Sequence, residues 1–138
     1  FCECLMRGGS IPGSPGYQLL SPKTLEWMTT NHLVKDGMTV DIQAMQIPGY
    51  SEFFAMRGLG FGLGFSVCLD PAVTGQIDSV GSFRWGGAAS TTFFCDPKEN
   101  MFAVMMTALR FRNPYSLPLT EQLKQLCYGC LAAPPARL

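Results

Sequence analysis

Apolar and polar positions alternate most clearly in "FGLGFSVCL". Phe61, Leu63, Phe65, Val67 and Leu69 fall on one side, and Gly62, Gly64, Ser66 and Cys68 on the other. A period of two over this length predicts a strand with one bulky and one small face, Phe61–Leu69. Asp70-Pro71 ends it. Further strands are predicted over Gly81–Trp85, Ser90–Asp96 and Met101–Leu109. The last two are joined by "DPKEN", where Pro97 suits the second turn position and Asn100 can take a left-handed backbone. Met101–Leu109 is apolar on both faces, as a strand covered on both sides would be.

Helical spacing appears in two places. In "LLSPKTLEWMTTNHL", Ser21 is an N-cap and Pro22 fits the first helical position, so a short helix runs from Pro22 to about Thr30 and ends near Asn31. In "TEQLKQLCYGCL", Leu123, Leu126, Cys127, Cys130 and Leu131 recur at i, i+3, i+4, i+7 and i+8. This predicts an amphipathic helix laid on the sheet, with Thr120 as N-cap. "FCECLMRGG" reads as the last turns of a helix stopped by Gly8 or Gly9, which suggests further sequence upstream. "GGSIPGSPG" is a loop, and Val34–Gly60 is an irregular connection with one helical turn near Glu52. The fold class is α+β: an antiparallel meander of about four strands with flanking helices.

Composition narrows the function classes. The 138 residues suffice for one domain with a core. Ten basic and ten acidic residues cancel, and no basic run exists, which argues against nucleic acid as the partner. No apolar stretch reaches the length of a membrane-spanning helix. Six cysteines offer Cys2-x-Cys4 and Cys127-x-x-Cys130 as zinc or redox pairs. The favoured reading is that Cys127 and Cys130 are small apolar residues on the buried face of the last helix, with no metal and no cofactor. The single histidine, His32, follows the "TTN" helix end and suits a cap or surface role.

The segments "LLSPKTLEWMTTNHL", "GFGLGFSVCLD" and "GSFRWGGAASTTFFCDPKENMFAVMMT" together resemble the C-terminal half of the serine beta-lactamase-like family. That family includes class C beta-lactamases, D-alanyl-D-alanine carboxypeptidases and family VIII esterases. The resemblance covers most of the chain in the expected order, and it implies a partial beta-lactamase/transpeptidase-like fold. Its most specific part is Trp-Gly-Gly-Ala-Ala followed by the Asp-Pro-Lys-Glu turn. In relatives the third catalytic motif stands here, usually Lys-Thr-Gly or His-x-Gly, and esterase-like branches have Trp-Gly-Gly. Carried over by position, Trp85, Gly86 and Gly87 match the motif, and the N–H of Ala88 matches an oxyanion donor. Read without the resemblance, the two glycines are a bulge that bends the sheet.

Two departures qualify what the resemblance implies. The family's Ser-x-x-Lys nucleophile motif and its Tyr-x-Asn motif are absent from residues 1–138. The resemblance therefore implies a C-terminal fragment of a serine hydrolase, inactive alone, whose partner is the N-terminal half of the same protein. Its substrate would be a small ester or amide. Trp85 stands where relatives often carry a cation, which leans toward esters. The alternatives are a non-catalytic binding module that associates through an exposed sheet edge beside Met101–Leu109, and a zinc or redox protein.

Overall fold

In the computed structural model the chain is described over residues 1–45, 56–109 and 118–131. Its elements run α1 (Cys2–Met6), α2 (Pro22–Met28), β1 (Val34–Lys35), β2 (Met38–Thr39), β3 (Leu59–Phe61) and β4 (Ser66–Cys68), then α3 (Pro71–Thr74), β5 (Phe83–Gly86), β6 (Thr92–Asp96), β7 (Met101–Met105) and α4 (Leu119–Gly129). Strands β3 to β7 form one antiparallel meander in chain order, and β1 and β2 form a separate hairpin. The mixed α+β class follows from this arrangement.

Local chemistry sets most boundaries. The Ser21 side chain accepts from the Thr24 N–H at 3.0 Å, and Pro22 opens α2. The helix ends at Met28 with Thr29 as C-cap, slightly before the expected end, and Asn31 just beyond ties the chain to the sheet. Its Oδ1 accepts from the N–H groups of Leu33 and Phe61, and its Nδ2 donates to Val40 O. Helix α1 ends into Gly8 and Gly9, both left-handed. The Asp96 carboxylate accepts from the N–H groups of Lys98 and Glu99, which holds the β6–β7 turn, and Asn100 is left-handed as expected (φ 50°).

The strand predicted over Phe61–Leu69 divides into two. Residues 59–61 and 66–68 pair with each other, Phe61 opposite Ser66, around a turn at Gly62–Phe65. Gly62 is forced by contact, because a Cβ there would lie 2.0 Å from Met28 O. Gly64 takes φ 99°, which an L side chain resists. The other strands are shorter than expected at one or both ends. "KDGM" inside the connection 34–60 is a hairpin turn with Asp36 and Gly37 at positive φ, the geometry that favours Asp-Gly between paired strands. The helical turn expected near Glu52 lies outside the described residues.

The sheet has helices on both faces. One face presents Val67, Phe83 and Cys95, which form a buried core with Leu5 of α1 and Phe65, flanked by Leu25 and Met28 of α2. The other presents Arg84, Phe94 and Asp96 to α4, where Phe94 stacks on Tyr128 with centroids 5.8 Å apart. Helix α4 corrects its expected orientation. Leu126 is 71% exposed, Leu131 and Cys130 are exposed, and Lys124 is the buried residue at 1%. The sheet beneath it is polar, so the helix turns its ionic and phenolic side chains inward. Its N-cap is Pro118, without a side-chain cap, rather than Thr120. Strand β7 is not covered on both sides. Phe102 and Val104 are about half exposed, and among the described residues only β6 pairs with it.

Candidate functional site

Trp85 and Gly86 end β5, opposite Phe93 and Thr92. Gly87 to Ser90 then form the turn into β6. Gly87 N–H donates to Thr91 O at 2.9 Å, and Ser90 N–H donates to Gly87 O at 3.0 Å. Both glycines face the returning strand closely. A Cβ on Gly86 would lie 2.9 Å from Thr91 O, and one on Gly87 would lie 2.7 Å from Thr91 Oγ1. Their own hairpin therefore accounts for the pair of glycines, through a close approach between β5 and β6.

The turn is also held from the far side of the sheet. Ala89 O accepts from Thr107 Oγ1 at 2.6 Å and from Leu109 N–H at 3.1 Å, and Ser90 Oγ donates to Leu109 O. Ser90 is buried and left-handed (φ 63°). The bridging residue Ala88 is exposed, and its N–H has no hydrogen-bond partner among the described residues. An unspent donor on a turn braced at both ends is pre-oriented, so it can meet a developing negative charge with little reorganisation. Beside it, Trp85 packs edge-to-face on Phe61 with centroids 4.9 Å apart. This pair makes the flank of the turn aromatic and uncharged.

The hydroxyls of Ser90, Thr92 and Thr107 are committed to backbone, while that of Thr91 stands against Gly87. Thr92 Oγ1 donates to Trp85 O, and those of Ser90 and Thr107 bond as above. The bases that could activate a hydroxyl are held elsewhere. His32 Nε2 donates to Trp27 O at 2.7 Å, closing the C-terminal end of α2. Lys23 pairs with Glu26, and Lys124 pairs with Asp78. The Ala88 N–H of the turn is free to donate to an anion, and among the described residues no hydroxyl beside it is paired with a base.

A second polar cluster was not foreseen from the pattern of the chain. Lys124 Nζ lies 2.6 and 2.7 Å from the two Asp78 oxygens and 3.2 Å from Gln76 Oε1. Gln76 also accepts from Arg84 and donates to Glu121. Tyr128 donates to Asp96, which is fully buried. Burial pushes Lys124 below the usual lysine range; Arg84 adds to this and Asp78 opposes it. Burial, then the bond to Asp96, pushes the Tyr128 phenol up. The spacing of Glu121, Lys124 and Tyr128 on one helical face was the available signal, but their partners lie tens of residues away. The members of the cluster bond to one another and fix α4 against the sheet.

Of the cysteines, Cys4, Cys68 and Cys95 are buried, Cys2 and Cys127 are half-buried and Cys130 is exposed. Among the described residues no group of three or more His, Cys, Asp or Glu is arranged to hold a metal ion. No helix there is long and apolar enough to cross a membrane.

No family model matches the chain, and no curated protein matches it. Among solved structures it is similar to EstCE1, a hydrolase with promiscuous acyltransferase activity, at 24% identity and a TM-score of 0.55. The match covers 80% of this chain and 23% of that one, so the chain spans about a quarter of the length of this neighbour. The likeness is one of fold, and that fold is beta-lactamase-like.

Proposed function

We propose that the chain is the C-terminal part of a beta-lactamase-related serine hydrolase, in which Trp85, Gly86, Gly87 and Ala88 form one wall of the active site. The observation that carries the reading is the exposed N–H of Ala88 in the turn after β5, which has no hydrogen-bond partner among the described residues. The remainder of the protein supplies the serine and its lysine. The serine hydroxyl attacks the ester carbonyl, and the carbonyl oxygen gains negative charge and accepts a hydrogen bond from the Ala88 N–H. The alcohol then leaves, and water hydrolyses the serine ester. The aromatic flank of Trp85 and Phe61 offers no cation for a substrate carboxylate, which favours simple esters over beta-lactams.

The test joins this chain to the preceding part of its protein and follows a short-chain nitrophenyl ester. The joined protein turns over, and residues 1–138 alone stay at background. Ala88→Pro in the joined protein removes the N–H and lowers turnover by on the order of a hundredfold. Turnover by residues 1–138 alone that vanishes on mutating one of their own serines would overturn the division of labour. An open reading frame without Ser-x-x-Lys upstream would favour a second reading, a binding module. The half-exposed Phe102 and Val104 on β7 support that reading, because an apolar edge strand invites pairing. Under it, the chain self-associates in sedimentation, and Val104→Lys restores a monomer.

A further inference from the structure

Strand β4 stops short of the end of β5. Their last pair on this side is Ser66 with Arg84, and the chain of β4 turns away at Phe65. Among the described residues, Trp85 and Gly86 therefore pair only with β6, and their other edge is open. The gap beside that edge is spanned from β3. Phe61 pairs with Ser66, and its ring reaches past the end of β4 to meet Trp85 edge-to-face, with centroids 4.9 Å apart and planes at 85°. Both backbone groups of Phe61 are held by other partners. Its N–H donates to Asn31 Oδ1 at 3.0 Å, and its carbonyl accepts from His32 N–H at 2.8 Å. The turn that follows is pinned by Leu63 N–H on Met28 O at 2.8 Å. Trp85 is held by its pairing with Phe93, and both rings are half-buried. The neighbouring cation on β5, Arg84, is engaged by Gln76. Two fixed, uncharged rings thus border the open edge of β5 just before the free N–H of Ala88.

We propose that the Phe61–Trp85 pair selects the substrate, and that the ester this wall takes carries an aromatic ring close to its carboxyl group. The inference rests on the reading of Trp85–Ala88 as an active-site wall. With the carbonyl oxygen on the Ala88 N–H, one substituent of the carbonyl runs back along the open edge of β5 toward Trp85. A flat apolar group there covers ring surface of Trp85 and Phe61 and leaves water. An aromatic ring gains more than a saturated one of similar size, because its positive edge meets the negative face of a protein ring. The backbone on either side of the pair is already fixed, so little freedom is lost when the substrate arrives. A carboxylate or ammonium group in the same place would give up water and find no partner. The ring has two possible sources, the acyl group or the alcohol, and the contact it makes is the same for both.

The test uses the joined hydrolase and measures kcat/KM by pH-stat for ethyl phenylacetate, benzyl acetate and the cyclohexyl counterpart of each. Every value is divided by the rate of hydroxide-catalysed hydrolysis of the same ester, which removes intrinsic reactivity. On this scale at least one aromatic ester should exceed its cyclohexyl counterpart by roughly 3–10-fold. A preference for ethyl phenylacetate places the ring on the acyl side, and one for benzyl acetate places it on the alcohol side; either supports the proposal. Phe61→Leu and Trp85→Leu keep apolar bulk without an aromatic ring and should bring the ratio to about 1, whereas Trp85→Phe should retain a preference. The ratio is taken within each variant, so a smaller folded fraction cancels. Equal values for the aromatic and cyclohexyl esters in the parent, or a preference that survives both leucine variants, would overturn the aromatic assignment and leave the hydrolase reading in place. A joined protein that turns over none of these esters, nor the nitrophenyl ester, would remove the hydrolase reading and this inference with it.

Discussion

Lys124 Nζ sits 2.6 Å from Asp78 Oδ1 and 2.7 Å from Oδ2, with only 2% and 1% of the two side chains reached by solvent. A buried pair of this kind gains little over two apolar residues, but it makes each member dependent on the other. Lys124→Met should therefore cost about 3–5 kcal/mol, since Asp78 is left charged with neither oxygen paired. Lys124→Met combined with Asp78→Leu should recover at least half of that loss. Urea unfolding of the two variants decides it. Equal destabilisation in both would show that the pair carries no mutual dependence.

This pair also marks how far the sequence could be read. The meander β5–β6–β7, the Ser21 cap and the left-handed Asn100 were legible because each depends on residues a few positions apart. The rotation of α4 was not. Its Leu and Cys stripe scores as a buried face only if the surface beneath is apolar, and Arg84, Asp96 and Asp78 make that surface polar through contacts far along the chain. The single strand over Phe61–Leu69 failed for a related reason. Gly62 and Gly64 fitted a small strand face, while their real constraints are a carbonyl on α2 and a positive φ. The hairpin between β5 and β6 lies where the sequence placed it, with Trp85 and Gly86 ending β5 and Gly87 and Ala88 opening the turn, and its glycines serve that hairpin.

Alkaline pH should destabilise the fold. Burial in the cluster with Ile42 and Leu59, with Asp78 adding to it, pushes the Cys68 thiol from an ordinary 9.0 up to about 11. A thiol raised on folding contributes stability that is fully present below pH 9 and is lost as pH rises toward 11, because the unfolded chain releases the proton first. The loss is on the order of 2–3 kcal/mol from this group. Cys95 and Tyr128 are raised as well and push in the same direction, while Lys124, lowered on folding, opposes them up to the ordinary lysine range. Urea midpoints at pH 8, 9.5 and 11 should fall, and Cys68→Ala should show a shallower fall. Parallel curves for the two proteins would remove Cys68 as a cause.

Two glycine substitutions should move stability in opposite directions. Gly62→Ala places a methyl 2.0 Å from Met28 O, at the point where Leu63 N–H donates to the same carbonyl. The backbone must shift and that bond weakens, so a loss of at least about 2 kcal/mol is expected. Gly129→Ala meets nothing within 4 Å and lies in α4 without a positive φ. It should gain about 0.4–1 kcal/mol by narrowing the unfolded ensemble. Thermal melts of both variants test the pair, and a neutral Gly62→Ala would mean that the β3–β4 turn is not pinned to α2.

The last prediction separates the two reasons for glycine in the Trp85–Ala88 turn. At Gly86 an added Cβ would meet backbone, Thr91 O at 2.9 Å, and the paired strand cannot yield without losing its register with Thr92. At Gly87 it would meet only a side-chain hydroxyl, Thr91 Oγ1 at 2.7 Å, which can rotate away. Gly86→Ala should therefore destabilise by about 1–3 kcal/mol, and Gly87→Ala by less than 1 kcal/mol. Adding Thr91→Ala should relieve the Gly87→Ala strain and leave the Gly86→Ala loss in place. The Gly87→Ala, Thr91→Ala double variant is then a stable background that keeps the Ala88 N–H and adds one methyl beside it. If the turn is an active-site wall, this background in the joined hydrolase loses ester turnover while its unfolding midpoint stays at the parent value. Full turnover in that background would leave the hairpin itself as the whole reason for Gly87.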